Sequence, residues 1–278
     1  MAAEFSTRGL RFMAALYRLC GRRALKVAAL PVVAVAYLRM GEARRASAAY
    51  FRQSGARPRT FAHIRAFADS LVDKLAAWHG DIGPDLLDFR DPDVGRFAAH
   101  LGSGRGAFVL CSHLGNIDIL RALAGSRTRC NAFMDTALTE GFNRFVSDLN
   151  PNANLGLYST RNLDLGVVLA LKERLEAGEL AVMAADRVSA GKAAERLPFL
   201  GKPAPFPTGA FRFAKALGAP VAFLAVVPEG GRFAVHGRFF EAAPADMAAQ
   251  YVAWLEGLVR AHPLQWFNFH DFWESGAA

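Results

Sequence analysis

The chain has 278 residues, enough for one large domain or two small ones with a sizeable core. Hydrophobic residues make up 53% and charged residues 21%, which is typical of a globular protein, and no apolar run reaches the roughly 20 residues of a clean membrane span. The three cysteines, Cys20, Cys111 and Cys130, have no metal-like spacing. They suggest no disulfide framework and fit a reducing compartment.

The net charge of +8 is concentrated at the N-terminus. Residues 1–60 hold twelve Lys or Arg and two acids, a net +10, so the remaining 218 residues carry about −2. In residues 8–38 the basic side chains interrupt apolar ones, and residues 28–38 carry no charge. We expect a helix that lies on a membrane surface, kinked at Pro31, with its arginines at anionic head groups. An amphipathic helix packed on the protein is the alternative, whereas the cleavage site of a signal peptide is unconvincing.

The rest of the chain alternates predicted helices with predicted strands. Apolar residues at three- and four-residue spacing predict helices over 43–52, 61–78, 94–100, 119–124, 139–150, 165–176, 209–217 and 245–260. Short apolar runs predict strands over 107–111, 129–134, 155–158, 180–185, 221–227 and 232–240. This order predicts an α/β fold with a largely parallel, mixed sheet flanked by helices. We divide it into an N-terminal helical membrane-association region, 1–80, and an α/β domain, 81–278, packed as one unit with those helices.

The turn after the strand 107–111 carries the strongest chemical signal. His113 lies where this strand passes into a helix, and Asp118 falls in the first turn of that helix. The positive end of the helix dipole disfavours imidazolium, so the ring is kept in the neutral form that accepts a proton. A carboxylate beside the ring holds it in one tautomer and stabilises the charge that follows. Asp186 also follows a strand end, and in parallel sheets such ends share one crevice.

His113-Leu-Gly-Asn-Ile-Asp118 resembles the H-x4-D/E motif of the lysophospholipid acyltransferase superfamily. Within it the chain is most similar to the bacterial lipid A biosynthesis acyltransferase group. Three further blocks agree with this resemblance: residues 173–186, residues 198–204 followed by Thr208-Gly209, and the closing Trp266-Phe-Asn-Phe-His-Asp-Phe-Trp273.

The resemblance implies transfer of a fatty-acyl group from a thioester to a hydroxyl or amine. The donor would be acyl carrier protein, with acyl-CoA as the other possibility, and the acceptor a membrane lipid or glycolipid at the cytoplasmic face of the inner membrane. His113 would be the general base, paired with Asp118, and no metal or cofactor is implied. The substrate-binding residues expected on this reading are Arg144, Asp186, Arg187, Phe199, Gly201 and Gly209. Arg187 and Arg144 are candidates to stabilise the oxyanion, and Asp186 to organise the site.

Two alternatives remain open from the sequence. A hydrolase would use Cys111 or Ser112 beside His113, although adjacent residues of an extended segment point to opposite faces. A non-catalytic membrane-associated or nucleic-acid-binding protein would also suit the basic N-terminus. Its basic residues are interleaved with aliphatic residues and not with the aromatic residues on which bases stack, which argues against nucleic-acid binding.

Overall fold

A computed structural model describes residues 7–124, 128–134, 155–160, 164–189 and 191–274. The helices of these residues are α1 (Thr7–Ala28), α2 (Leu30–Arg39), α3 (Gly41–Gln53), α4 (Thr60–His79), α5 (Pro92–Gly102), α6 (Asp118–Ala124), α7 (Leu165–Glu176), α8 (Thr208–Leu217) and α9 (Met247–Ala261), with a single 3₁₀ turn at Pro84–Leu86. The strands are β1 (Leu87–Phe89), β2 (Ala107–Cys111), β3 (Cys130–Met134), β4 (Leu155–Ser159), β5 (Leu180–Ala184), β6 (Ala194–Phe199), β7 (Lys202–Pro207), β8 (Val221–Glu229) and β9 (Arg232–Phe240).

Seven strands form one sheet in the order β1-β9-β8-β2-β5-β3-β4. Neighbouring strands in it are parallel except for β8 and β9, which form an antiparallel pair. All five residues of the central strand β2 are buried, as its continuous apolar run predicts for a strand covered on both faces. The predicted largely parallel, mixed sheet flanked by helices is therefore confirmed.

The register between β2 and β5 positions the site. Ala107 lies beside Leu180 and Cys111 beside Ala184, so the two strands end at the same level. The main-chain hydrogen bond from Ala185 N to Cys111 O continues the pairing by one residue, at 2.9 Å. The chains that leave these two strands therefore begin side by side.

Strands β6 and β7 form a separate antiparallel hairpin that the sequence did not predict. Its two-residue turn is Leu200-Gly201, and both residues have positive φ, 51° and 83°. Such a turn matches the twist of a hairpin. The prolines of this stretch argue against a strand, because proline cannot donate to a ladder. Here the hairpin stands apart from the main sheet, where that loss is tolerated.

The N-terminal helices pack against one another and against the α/β layer. Helix α1 is interrupted at Gly21, where φ is +72°, and Pro31 lies in the first turn of α2, just after the break between the helices. Two basic side chains of α1 turn inward: Arg22 Nε and Lys26 Nζ lie 2.6 and 2.7 Å from Asp73 Oδ1 on α4. None of the helices in the described parts of the chain is both long and apolar enough to cross a membrane. The division at residue 80 stays a prediction.

Most predicted elements appear within two residues of their predicted ends. The short strand β1 lies in a stretch for which the sequence predicts no strand. The predicted helix 139–150, and with it Arg144, lies outside the described residues.

Candidate active site

His113 lies two residues beyond β2, in a turn held on both sides. Leu114 pairs with Trp266, and Gly115 pairs with Val226. Gly115 has φ of +68°, and a Cβ atom there would come within 1.9 Å of Val226 O, so this position accepts only glycine without movement of the backbone. The close approach directs the chain into α6, which begins at Asp118.

The imidazole of His113 is bound to Asp186 rather than to Asp118. Asp186 lies two residues beyond β5, and its Oδ1 is 2.8 Å from His113 Nδ1, while its Oδ2 accepts the backbone N–H of His113 at 2.9 Å. Burial alone would raise the pKa of Asp186, but these contacts and the nearby Arg187 lower it well below its usual range. An ionised carboxylate only accepts hydrogen bonds, so Nδ1 carries the proton. Nε2 is then the ring nitrogen with a free lone pair.

Asp118 is bound by two cations. Its Oδ2 lies 2.6 Å from Lys74 Nζ, and its Oδ1 lies 2.7 Å from Arg121 Nη1. Burial alone would raise the pKa of Asp118, but Lys74 and Arg121 outweigh it, and the pKa falls below its ordinary value. Asp118 therefore stays ionised beside the turn, and its hydrogen bonds go to α4 and to its own helix.

Trp266 joins the two strand ends from the C-terminal segment. Its indole Nε1–H donates to Asp186 Oδ2 at 3.0 Å. The main chain on either side binds the turn: Gly115 N donates to Gln265 O at 2.8 Å, and Phe267 N donates to His113 O at 2.9 Å. The Asp186 carboxylate is thus bound by three donors, two from His113 and one from Trp266.

His113 opens into a pocket of about 760 Å³. Its walls come from the carboxyl ends of β2, β3 and β5, from α4 and α6, and from the C-terminal segment. Arg187, Lys74 and Arg121 bring positive charge to it, whereas Phe67, Phe133 and Met183 are among its apolar walls. A pocket with apolar walls and a few convergent polar groups, His113 and His270 among them, is the arrangement expected of a catalytic site.

The model of one protein family, described as bacterial lipid A biosynthesis acyltransferase, matches residues 89–275, about two thirds of the chain. The chain belongs to this family. No curated protein matches it. Membership makes this protein an acyltransferase and implies an acyl donor and a lipid acceptor. Both His113 and Asp186 lie within the matched range.

Of the predicted substrate-binding residues that the structure describes, Arg187 alone lines the pocket of this acyltransferase, and Asp186 lies beside it, bound to His113. Arg187 Nη2 donates to Phe267 O. Phe199 is fully buried against Phe206 and Trp266. Gly201 lies in the turn of the β6–β7 hairpin, and Gly209 in the first turn of α8. These three are not among the residues that line the pocket within the described chain, and their role in substrate binding stays a prediction.

The contacts of Cys111 and Ser112 do not suit a nucleophile. Cys111 is buried, and burial, reinforced by Asp186, raises the pKa of its thiol far above its ordinary value, so it stays protonated. Ser112 Oγ accepts the backbone N–H of Leu114 at 3.2 Å. This geometry agrees with an acyltransferase rather than a hydrolase.

Sequence reasoning missed Lys74, Arg121 and Trp266. Arg121 follows Asp118 by three residues on a predicted helix, and this spacing alone favours an ion pair between them. Lys74 and Trp266 come from distant elements, and no local pattern connects them with His113.

Proposed function

We propose that this protein moves a fatty-acyl group from a thioester to a hydroxyl or amine of a lipid or glycolipid, with His113 as general base and Asp186 as its orienting carboxylate. The observation that carries the proposal is the hydrogen bond of 2.8 Å between His113 Nδ1 and the buried Asp186. It leaves Nε2 to take a proton from an acceptor in the pocket that His113 lines, and the family of the chain is an acyltransferase family. In other sites of this kind the histidine takes the proton, and the buried carboxylate orients the ring and stabilises the imidazolium.

The reaction then proceeds in two steps. His113 Nε2 takes the proton of the acceptor as its oxygen or nitrogen bonds to the thioester carbonyl carbon, which leaves an oxyanion and an imidazolium. Collapse of this intermediate breaks the carbon–sulfur bond, and the imidazolium returns the proton to the departing thiolate. Asp186 stabilises the imidazolium in between.

We propose that a side chain stabilises the oxyanion, because the four backbone donors of the turn that carries His113 are occupied. The N–H groups of residues 113–116 donate, in order, to Asp186, Ser112, Gln265 and Val226. Arg187 lines the pocket next to Asp186, and its Nε has no hydrogen-bond partner among the residues that the structure describes. We assign Arg187 to the oxyanion.

Asp118 supports the site by its charge. It lines the same pocket as His113, and the Coulomb interaction with His113 contributes to its lowered pKa. The predicted His113–Asp118 pair is thus retained in the proposal as an interaction through space, while Asp186 makes the hydrogen bond.

The acyl donor we propose is acyl carrier protein. Such carriers are acidic, and the cationic residues at this pocket favour an acidic partner through complementary charge. Acyl-CoA is also anionic, so parallel assays with both thioesters decide between them.

The acceptor is proposed to be a lipid A-type molecule or another lipid at the cytoplasmic face of the inner membrane. Large apolar side chains of the first two helices are exposed: Leu19 by 82%, Val32 by 70% and Leu38 by 70%. A surface helix with such a face enters the head-group region, and the net +10 of residues 1–60 attracts anionic lipids.

The test is acyl transfer by the purified protein. A radiolabelled lauroyl thioester, supplied either on acyl carrier protein or on CoA, is mixed with vesicles of total bacterial lipid, and the lipids are separated. We expect label on a lipid with wild type, and a loss of about 10²–10⁴-fold in His113→Ala. The control is His79→Ala, because His79 contacts Tyr17 and Arg18 at the end of α4. Label only in free fatty acid, or full transfer by folded His113→Ala, would refute the proposal.

A further inference from the structure

A second histidine, His63, is fully buried at the back of the site. Its ring lies among aromatic side chains, 4.6 Å from the ring of Phe269 and 5.4 Å from that of Phe51 between centroids. The reaction above does not use it. Burying an imidazole costs free energy unless both of its nitrogens form hydrogen bonds.

The two partners of His63 determine its tautomer. Nε2 lies 2.8 Å from the carbonyl oxygen of Trp266, and Nδ1 lies 2.9 Å from Ser47 Oγ. A carbonyl only accepts, so Nε2 donates to Trp266, and Nδ1 accepts the Ser47 hydroxyl proton. Burial lowers the pKa of His63 to about 4, so the ring is neutral near pH 7 and this arrangement is the only one available.

Trp266 in turn touches both members of the His113–Asp186 pair. Its indole N–H binds the Asp186 carboxylate, and the peptide that follows it binds His113 O through Phe267 N. Trp266 is 0% exposed, and its ring packs on Tyr50, Phe199 and Phe272. A shift of its main chain would therefore move the base and its carboxylate together.

We propose that His63 and Trp266 are positioning residues, which hold Asp186 and His113 in the geometry that proton transfer requires. The proposal rests on the proposed function for its kinetic consequence. His63 precedes the family-matched range 89–275, so it extends the machinery of the site into the N-terminal helices. A purely packing role would predict lost stability alone, whereas a positioning role predicts lost turnover at unchanged substrate binding.

The variants separate these two roles. Trp266→Phe keeps the aromatic packing and removes the indole N–H, and Trp254→Phe on α9 is its matched control. His63→Leu removes both hydrogen bonds, while His63→Gln offers one donor and one acceptor in their place. His100→Leu is its control, because buried His100 binds the backbone oxygen of Gly106 by Nε2 at 3.0 Å, away from the pocket residues.

Turnover is measured with the labelled lauroyl thioester and lipid vesicles used above. We expect Trp266→Phe and His63→Leu to lower kcat by about 10- to 100-fold, in the range that a small misplacement of reacting groups produces. KM for the thioester should stay within about twofold of wild type, and His63→Gln should recover most of the loss. The double variant should lose less than the product of the two single losses, because both act through the same hydrogen bonds.

An NMR signal that does not depend on activity distinguishes a failure of this inference from a failure of the proposed function. The proton on Nδ1 of His113 should give a downfield resonance in proton NMR spectra, absent in His113→Ala and shifted or broadened in Trp266→Phe. If wild type transfers no label but this resonance responds to Trp266→Phe, the proposed function fails and the positioning role stands. Wild-type kcat and an unchanged resonance in folded Trp266→Phe, or a loss in His63→Leu no larger than in His100→Leu, would overturn the inference.

Discussion

His113 and Asp186 are 73 residues apart in the chain, yet His113 Nδ1 lies 2.8 Å from Asp186 Oδ1. The reason is the register of the sheet, because each residue follows the end of its strand by two positions and the two ends, Cys111 and Ala184, are paired. The alignment of the two apolar strands thus brings His113 and Asp186 side by side.

The first prediction concerns this hydrogen bond. Asp186→Asn keeps the size of the side chain but replaces an oxygen acceptor with an amide that can donate to Nδ1, which favours the unproductive tautomer of His113. We expect turnover to fall by about 10²–10⁴-fold, as in other histidine bases held by carboxylates. Steady-state assays of transfer measure it, and Asp164→Asn, at the exposed cap of α7, is the control. Equal turnover in the two variants would mean that Asp186 does not orient the base.

The strands and the histidine could be predicted from local sequence. The apolar runs at 107–111 and 180–185 are long enough to indicate buried strands, and both end in polar residues. The partner of His113 could not be predicted in the same way, because the spacing to Asp118 is visible in the sequence while the register of β2 against β5 is not. Asp118 instead pairs with Lys74, which lies on a helix 44 positions earlier.

The β6–β7 hairpin and the contact of Trp266 with Asp186 could not be predicted from local sequence either. Pro198, Pro203, Pro205 and Pro207 indicate a loop under ordinary propensity rules, and only an edge hairpin outside the main sheet accommodates them. Trp266 follows the last helix and has no spacing that relates it to Asp186. Its indole finds the carboxylate because residues 265–267 add a short ladder beside the turn 113–115.

The second prediction concerns Asp118 and stability. Asp118→Asn removes the charge that compensates Arg121, whose side chain is only 9% exposed, and Lys74, whose side chain is 32% exposed. Lys74 can turn toward solvent, but Arg121 is left as a buried charge without its counterion. We expect a loss of about 3–5 kcal/mol in the free energy of unfolding, measured by urea denaturation.

A double variant tests that cause. Arg121→Met together with Asp118→Asn removes both buried charges, and we expect it to be more stable than Asp118→Asn alone. If the double variant is less stable than Asp118→Asn, the uncompensated Arg121 is not the source of the loss.

The third prediction concerns Gly115. Gly115→Ala places a methyl group 1.9 Å from Val226 O at a residue with φ of +68°, so the turn has to move away from β8. We expect a lower melting temperature and a loss of transfer, because His113 lies in the same turn. Gly257→Ala in α9 is the control, since a Cβ there meets nothing within 4 Å and alanine favours a helix by about 0.8–1.0 kcal/mol. A Gly115→Ala protein as active and as stable as wild type would contradict the packing of this turn.

The fourth prediction concerns the pH dependence of stability. The folded protein lowers the pKa of His63 from 6.5 to about 4, so between these values the unfolded chain binds a proton that the folded chain does not. Stability therefore falls as the pH drops from 6.5 toward 4, by up to about 3 kcal/mol from this residue.

Replacing His63 with glutamine isolates that contribution. Urea denaturation of wild type and of His63→Gln is compared at about pH 7 and about pH 4.5. Most of the expected change in stability falls between these two pH values. We expect the difference in stability between the two pH values to be smaller in His63→Gln, and His100→Gln, at another buried histidine, serves as the control. Parallel behaviour of wild type and His63→Gln would show that His63 takes up its proton in the folded state as readily as in the unfolded one.

The last prediction concerns the apolar face of α2. Val32, Val35 and Leu38 are 70%, 50% and 70% exposed, and burying such side chains in lipid contributes about 1.5–3 kcal/mol each. Replacing all three with serine should therefore weaken binding to anionic vesicles by more than about 100-fold, measured by flotation, while raised salt alone weakens it only in part, because the apolar contribution is not screened. The control replaces two exposed leucines of α7, Leu165 and Leu169, with serine. If the triple variant floats as well as wild type, these side chains do not contact the bilayer, and a soluble acceptor becomes the better hypothesis.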